Sequence, residues 1–285
     1  MCLRALAAAS AIFSGGDGSD NLMNEKDKTK SAIFDLARNR SLDQQVSHPG
    51  REKPKLPRRF YRKAEAGTHE SGHTVLLDGR AVKTPSKSVL AVPSLALAEA
   101  MAAEWEAQRE LIDPRTMWLT KLANTAIDLV APRRGDVIAE LVKYSATDLL
   151  CYRAEHPAAL VSRQSALWDP LLGWAAERGI SLLPTTGILH IAQPADSLDA
   201  YGLAVDRLDS FRIAALHNAV TLTGSAVIGL AMTLGRLTAE EAFDTAHVDE
   251  HWQLELSGED EEERARLEIR RSELAETARF IALLG

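Results

Sequence analysis

The stretch TVLLDGRAVKTP, residues 74–85, decides how this chain begins to fold. Two short apolar runs flank the dipeptide Asp78-Gly79, which tolerates the positive φ angles of a two-residue type I′ turn, so a tight β-hairpin is predicted. Residues 88–92 supply a third apolar run, which ends at Pro93 because proline lacks a backbone donor. The stretch therefore predicts a small antiparallel meander.

Helices and one further strand are predicted beside this meander. Ser94 is a suitable N-cap for an alanine-rich helix whose apolar side chains recur at helical spacing. Asp113-Pro114 can start a second, amphipathic helix that runs to about Val130. Residues 60–64 are predicted as a first strand and residues 67–72 as a loop.

After Pro132 the sequence becomes mainly helical. The pair Asp169-Pro170 is predicted to restart the chain into a new helix, and Thr238 begins a capping box. The short apolar runs at residues 180–183 and 188–191 are interpreted as a minor hairpin.

The predicted fold class is α+β, with a small N-terminal β-meander-containing domain followed by a larger all-helical C-terminal domain. Residues 1–58 are predicted to form a flexible or disordered basic arm, because they are polar and rich in turn residues. The small domain is placed at residues 59–131 and the helical domain at residues 132–285.

Composition excludes several classes of protein. The chain has 285 residues, a net charge of −7 and a pI near 5.7, which argues against a general nucleic-acid binder. No apolar run approaches the roughly 20 residues that span a bilayer, so no stable membrane insertion is expected. Cys2 and Cys151 are too few for a disulfide framework and are consistent with a reducing compartment. A monomer is expected.

The N-terminal segment leaves two alternatives open. Residues 24–63 contain twelve Lys or Arg against five Asp or Glu. This basic arm is interpreted as a solvated tail, with a contact to anionic lipid or RNA as the alternative. Residues 1–13 weakly resemble a leader peptide, and Met23 is an alternative start of the chain.

One pattern indicates an enzyme. His247, Glu250 and His251 fit the H-x-x-E-H arrangement of inverted zinc peptidases, in which the two histidines share a helix face as zinc ligands. A catalytic zinc site also needs a third protein ligand, which the acidic residues 259–263 could supply. The alternative is that two histidines fall at this spacing by chance. The sequence contains no GxxxxGK[ST] loop, no GxGxxG after a predicted strand and no G-x-S-x-G elbow.

Five motifs together resemble the ATP synthase α-subunit assembly chaperone family, and the resemblance runs from about Phe60 to the C-terminus. They are Leu77-Asp78-Gly79-Arg80 with Lys83-Thr84-Pro85, Glu104-Trp105-x-x-Gln108, Leu122-x-Asn124-Thr125-Ala126-x-Asp128, Thr147-Asp148-Leu149-Leu150-Cys151-Tyr152-Arg153, and Gln164-x-x-x-Trp168-Asp169-Pro170-Leu171. The resemblance implies that the protein is a chaperone and not an enzyme. The chaperone would bind the free α subunit of the ATP synthase without ATP and without a cofactor. The resemblance implies the cytoplasm in a bacterium, and the mitochondrial matrix in eukaryotic relatives.

The resemblance also implies partner-binding residues. Trp105 and Gln108 belong to one motif and Asp148 to another, although Trp105 in the core and Asp148 as a cap are the structural alternatives. A functionally important acidic position of the family corresponds to Glu261. Ser257 stands where the family has Trp, so a neighbouring acid can take this role instead of Glu261, either Glu259 or Asp260.

Overall fold

The computed structural model describes residues 56–187, 189–257 and 261–285, without the side chain of residue 257. Almost all of the predicted basic arm lies outside the described residues, as do the possible leader peptide and the alternative start at Met23. Glu259 and Asp260 also lie outside them. Residues 55–285 form one compact unit. The division of this unit at residue 131 stays a prediction.

A small antiparallel sheet stands at the N-terminal side of this unit. Its central strand β2 pairs with β1 along one edge and with β3 and β4 along the other. The strands are β1 (Ala64–His69), β2 (Gly72–Leu77), β3 (Arg80–Ala81) and β4 (Ala91–Val92).

The predicted hairpin turn is confirmed. Asp78 has φ 48° and Gly79 has φ 79°, the two positive angles that a type I′ turn needs. The bounds predicted for the first strand are wrong, because β1 begins where the predicted strand ends, at Ala64, and extends to His69 through half of the predicted loop. Gly67 explains the difference: a Cβ there would lie 2.5 Å from Cδ1 of Leu76, so this glycine allows close packing inside a strand.

Ten α-helices follow in the described residues, and they confirm the α+β class. Helix α1 has Ser94 as its N-cap, whose hydroxyl accepts a hydrogen bond from the N–H of Leu97. The capping box of α8 is formed by Thr238 and Glu241. The helices are α1 (Leu95–Ala107), α2 (Trp118–Thr125), α3 (Arg134–Ala146), α4 (Ala158–Ala176), α5 (Ala195–Asp206), α6 (Ser210–Thr223), α7 (Ala226–Thr233), α8 (Ala239–Ala246), α9 (Val248–Ser257) and α10 (Glu261–Leu283).

Two predictions for the helical part are wrong. Helix α4 runs without a break through Pro170, because Trp168 and Leu171 on either side are buried and outweigh the roughly 3 kcal/mol cost of a proline inside a helix. The described residues of the two runs, 180–183 and 189–191, do not pair as a hairpin. Instead, strand β6 (Thr185–Thr186) pairs in parallel with strand β5 (Tyr152–Arg153).

The core consists of two hydrophobic clusters. The first joins the sheet to α1 and α2, and the second lies among α3 to α8. Helix α10 contributes to both, since Leu274 lies in the helical cluster and Phe280 in the sheet cluster. No helix in the described part of the chain is long and apolar enough to cross a membrane.

Candidate functional site

Asp128 ties the predicted hairpin to the helices. It lies in the π-helical turn Ala126–Val130, which continues α2. Its carboxylate accepts a hydrogen bond from the hydroxyl of Thr84 at 2.7 Å and one from the N–H of Ser86 at 2.9 Å. Two of the motifs that carry the family resemblance therefore meet here and hold each other in place.

The motif around Trp105 also holds the fold together. Gln108 is buried, and its side chain donates to the carbonyl of Glu104 at 3.0 Å and accepts from the N–H of Asp113 at 2.7 Å. The carboxylate of Glu104 accepts from the N–H of Leu119 at 2.7 Å, at the start of α2. Trp105 is half-buried against Tyr61, with ring centroids 5.8 Å apart. The buried amide of Gln108 thus fixes the loop after α1, and Trp105 keeps part of its surface exposed.

Asp148 is completely buried where the Leu149–Cys151 turn meets α7. Its carboxylate accepts hydrogen bonds from the N–H of Leu150 at 2.9 Å, from the hydroxyl of Ser225 at 2.8 Å and from the N–H of Val227 at 2.9 Å. Ser225 is itself the N-cap of α7. Burial raises the pKa of Asp148 to about 6, although these hydrogen bonds favour the ionised form. With its side chain inaccessible, Asp148 acts on any partner only through the elements it positions.

The inner face of α4 contacts α8 and α9 through two further motif residues. Gln164 accepts from the N–H of Ala154 at 2.8 Å and donates to the carboxylate of Asp249 on α9 at 2.7 Å. Trp168 is fully buried and donates from Nε1 to the carbonyl of Thr245 at 2.8 Å. These two motif residues hold α4 against α8 and α9.

The outer face of α4 lines an exposed groove against α9, which we call the α4–α9 groove. Its pocket of about 370 Å³ is bordered by apolar and charged side chains, and Leu167 remains 39% exposed beside it. The guanidinium of Arg163 contacts Glu255 at 2.7 Å and lies 4.8 Å from the ring centroid of Trp252. The lining residues are Arg163, Ala166, Leu167, Asp244, Val248, His251 and Glu255. Exposed apolar side chains beside charged groups are typical of a protein-binding surface.

Sequence reasoning did not find this groove. Its two walls come from helices about ninety residues apart in the chain, and no local pattern indicates that α4 and α9 pack together. The sequence signal that α4 offers is an apolar residue, Leu167, one helical turn after the charged Arg163.

The two histidines of the zinc pattern belong to different helices: His247 ends α8, and His251 lies inside α9. His247 is the buried C-terminal cap of α8, with Nδ1 2.9 Å from the carbonyl of Phe243 and its ring stacked on that phenyl ring. Burial lowers the pKa of His247 to about 4, so the ring is neutral near pH 7. His251 lies in α9 and lines the groove. In residues 56–187, 189–257 and 261–285, no three metal-binding side chains group around a common point.

Glu261 is exposed at the start of α10. Of the three acidic residues implied by the family resemblance, it is the one that the structure describes. The candidate site residues therefore separate into buried ones that hold the fold, half-buried Trp105, and exposed Glu261 at the acidic end of the molecule.

Comparison with known proteins gives a consistent result. Residues 58–176 match the family described as ATP12 chaperone protein. The crystal structure of Atp12 from Paracoccus denitrificans is 43% identical, with a TM-score of 0.76, over 80% of this chain and 99% of that chain. The Atu1473 protein from Agrobacterium tumefaciens is 37% identical, with a TM-score of 0.77, over 90% of this chain and 99% of that chain. The mitochondrial protein atp12 of Schizosaccharomyces pombe is 23% identical over 209 residues, 69% of this chain and 72% of that protein.

Proposed function

This chain belongs to the ATP12 chaperone protein family, and from that premise we propose that it binds the free α subunit of the F-type ATP synthase until the β subunit arrives. The observation that carries the proposal is the match to the Paracoccus denitrificans Atp12 structure over 99% of that chain. The motif residues support the family fold on which the proposal rests, since Asp128, Gln108 and Asp148 hold its elements together by hydrogen bonds.

The proposed mechanism is binding without catalysis. An isolated subunit exposes apolar surface that will later be covered in the assembled enzyme, and such surface self-associates. A chaperone that covers this surface lowers the concentration of the aggregation-prone species by mass action, until a partner of higher affinity displaces it. The absence of phosphate-binding loop motifs from the sequence supports independence from ATP. Such a chaperone acts where the subunit is made or imported, in the bacterial cytoplasm or the mitochondrial matrix.

The decisive experiment is capture of separately expressed ATP synthase subunits by the full chain, without nucleotide. We expect the α subunit to be retained, the β subunit to remain in the flow-through, and addition of the β subunit to release the α subunit. Added ATP should leave the retained amount unchanged.

A second experiment measures whether the chaperone prevents aggregation of the α subunit. Light scattering of the α subunit should fall when the chaperone is present at an equimolar concentration, and an equal concentration of albumin should not reproduce the effect. Failure to retain the α subunit at micromolar concentration, or equal retention of both subunits, would overturn the proposal.

A further inference from the structure

Charge divides sharply along this chain. Residues 56–238 contain 19 Lys or Arg and 19 Asp or Glu, so their net charge is zero. Residues 239–285 contain 5 Arg and 14 Asp or Glu, a net charge of −9. Helices α8 to α10 contain twelve of these acidic residues and all five arginines, so they carry most of this negative charge. A partner that docks on them is favoured if its own surface is basic.

The α4–α9 groove lies at the edge of this acidic region. Its wall from α8 and α9 includes Asp244 and Glu255, whose side chains are about half exposed. Glu255 contacts Arg163 through Oε1, and Asp244 contacts Arg271 at 3.6 Å through Oδ1. Because both carboxylates remain open to solvent, both can accept a further hydrogen bond from a partner.

The opposite wall is formed by α4. Ala166 is exposed and lines the pocket. The groove thus offers an apolar surface at Ala166 and Leu167, and acceptors from the carboxylates of Asp244 and Glu255.

We propose that the α4–α9 groove binds a segment of the client in which an apolar side chain stands next to a lysine or arginine. The proposal rests on the proposed chaperone function and names the chemistry of the segment that this function requires. The pocket volume of about 370 Å³ lies at the low end of the roughly 300–1,000 Å³ of ligand pockets, so it takes one or two side chains and not a whole helix. The apolar side chain covers Leu167, and the adjacent cation meets the acceptors.

The test compares two exposed leucines. Leu167→Asp places a charge in the groove, whereas Leu203→Asp places the same charge on α5, where Leu203 is 63% exposed. We expect Leu167→Asp to weaken binding of the α subunit about thirtyfold, the size of a central interface residue, and Leu203→Asp to change it less than about twofold. Unfolding curves of both variants should match the wild type, which excludes loss of folding as the cause.

The chemistry of the segment is tested by cross-linking. In a Cys2→Ser background, Ala166→Cys carries a benzophenone maleimide, and Glu99→Cys on α1 serves as the labelled control. Mass spectrometry of the cross-linked α subunit should identify a peptide with an apolar residue beside Lys or Arg, and the affinity should fall as salt is raised.

The outcomes separate this inference from the proposed function. If the wild type does not bind the α subunit, the proposed function fails. If the wild type binds but Leu167→Asp binds equally well, or if the Ala166→Cys probe captures an acidic peptide, the function stands and the groove proposal is overturned.

Discussion

Helix α4 presents two faces that differ in chemistry and in purpose. On the inner face, Gln164 and Trp168 are buried, and their hydrogen bonds hold α8 and α9. On the outer face, Arg163 and Leu167 are exposed and border the groove. Three residues of the motif that carries the family resemblance on this helix, Gln164, Trp168 and Leu171, are buried on the inner face. A resemblance carried by such residues identifies the scaffold more readily than the surface that meets a client.

The largest expected difference between the two faces of α4 is in how much a substitution lowers the free energy of unfolding. Trp168→Ala removes a fully buried ring and the hydrogen bond to Thr245, so the free energy of unfolding should fall by about 3–5 kcal/mol. Leu167→Ala, one residue away, should cost no more than about 1 kcal/mol because Leu167 is already 39% exposed. Urea unfolding of the two variants measures the difference, and similar losses in both would remove the distinction between the faces.

A second comparison concerns two buried groups that titrate in opposite senses. Burial raises the pKa of Asp148 from 3.8 to about 6, so the folded protein binds this proton more tightly and its stability rises as pH falls through that window. Burial lowers the pKa of His247 from 6.5 to about 4, so stability falls as pH falls through nearly the same window. Each contribution is about 3 kcal/mol, and the two should nearly cancel in the wild type.

Single variants should break this cancellation. In Asp148→Asn the His247 contribution remains, so the free energy of unfolding should fall between pH 7 and pH 4. In His247→Asn the Asp148 contribution remains, so the free energy of unfolding should rise between pH 7 and pH 4. The other titrating groups are common to both variants. The difference between the two slopes of unfolding free energy against pH therefore reports on Asp148 and His247 alone. Parallel pH profiles of urea unfolding for the two variants would contradict the prediction.

The smallest effect is expected at the acidic surface. Glu261→Lys changes an exposed residue in the first turn of α10, so stability should fall by less than about 1 kcal/mol from the loss of a favourable charge at a helix N-terminus. Association with the α subunit should slow several-fold at low salt, because a rim charge acts mainly on the association rate. Glu99→Lys on α1 is the matched control, and equal slowing by both variants would assign the effect to net charge alone.

Local chemistry explains what the sequence could predict. The Asp78-Gly79 turn and the Thr238–Glu241 capping box depend on neighbouring residues alone, and both are present in the structure. Strand β1 has no such signal: its sequence AEAGTH is poor in β-branched residues, and it becomes a strand because it pairs with β2.

The site was harder to predict for a related reason. A polar residue inside an apolar region indicates either a partner contact or a buried hydrogen-bonding centre, and the sequence cannot separate the two. The family resemblance implies partner-binding roles for Gln108 and Asp148, and these roles stay predictions. Inside the protein both side chains form hydrogen bonds. The groove needed the packing of α4 against α9, which is a non-local contact.

Helix α10 links parts of the chain that are far apart in sequence. The hydroxyl of Ser94 donates to the carbonyl of Leu283, and Lys121 pairs with Glu273 at 3.4 Å. Each contact closes a loop of more than 150 residues, so the chain entropy of closure must be lost before these contacts are gained. During synthesis on the ribosome, both hydrophobic clusters stay incomplete until Leu274 and Phe280 have emerged. We therefore expect a slow folding step in which docking of this helix comes last.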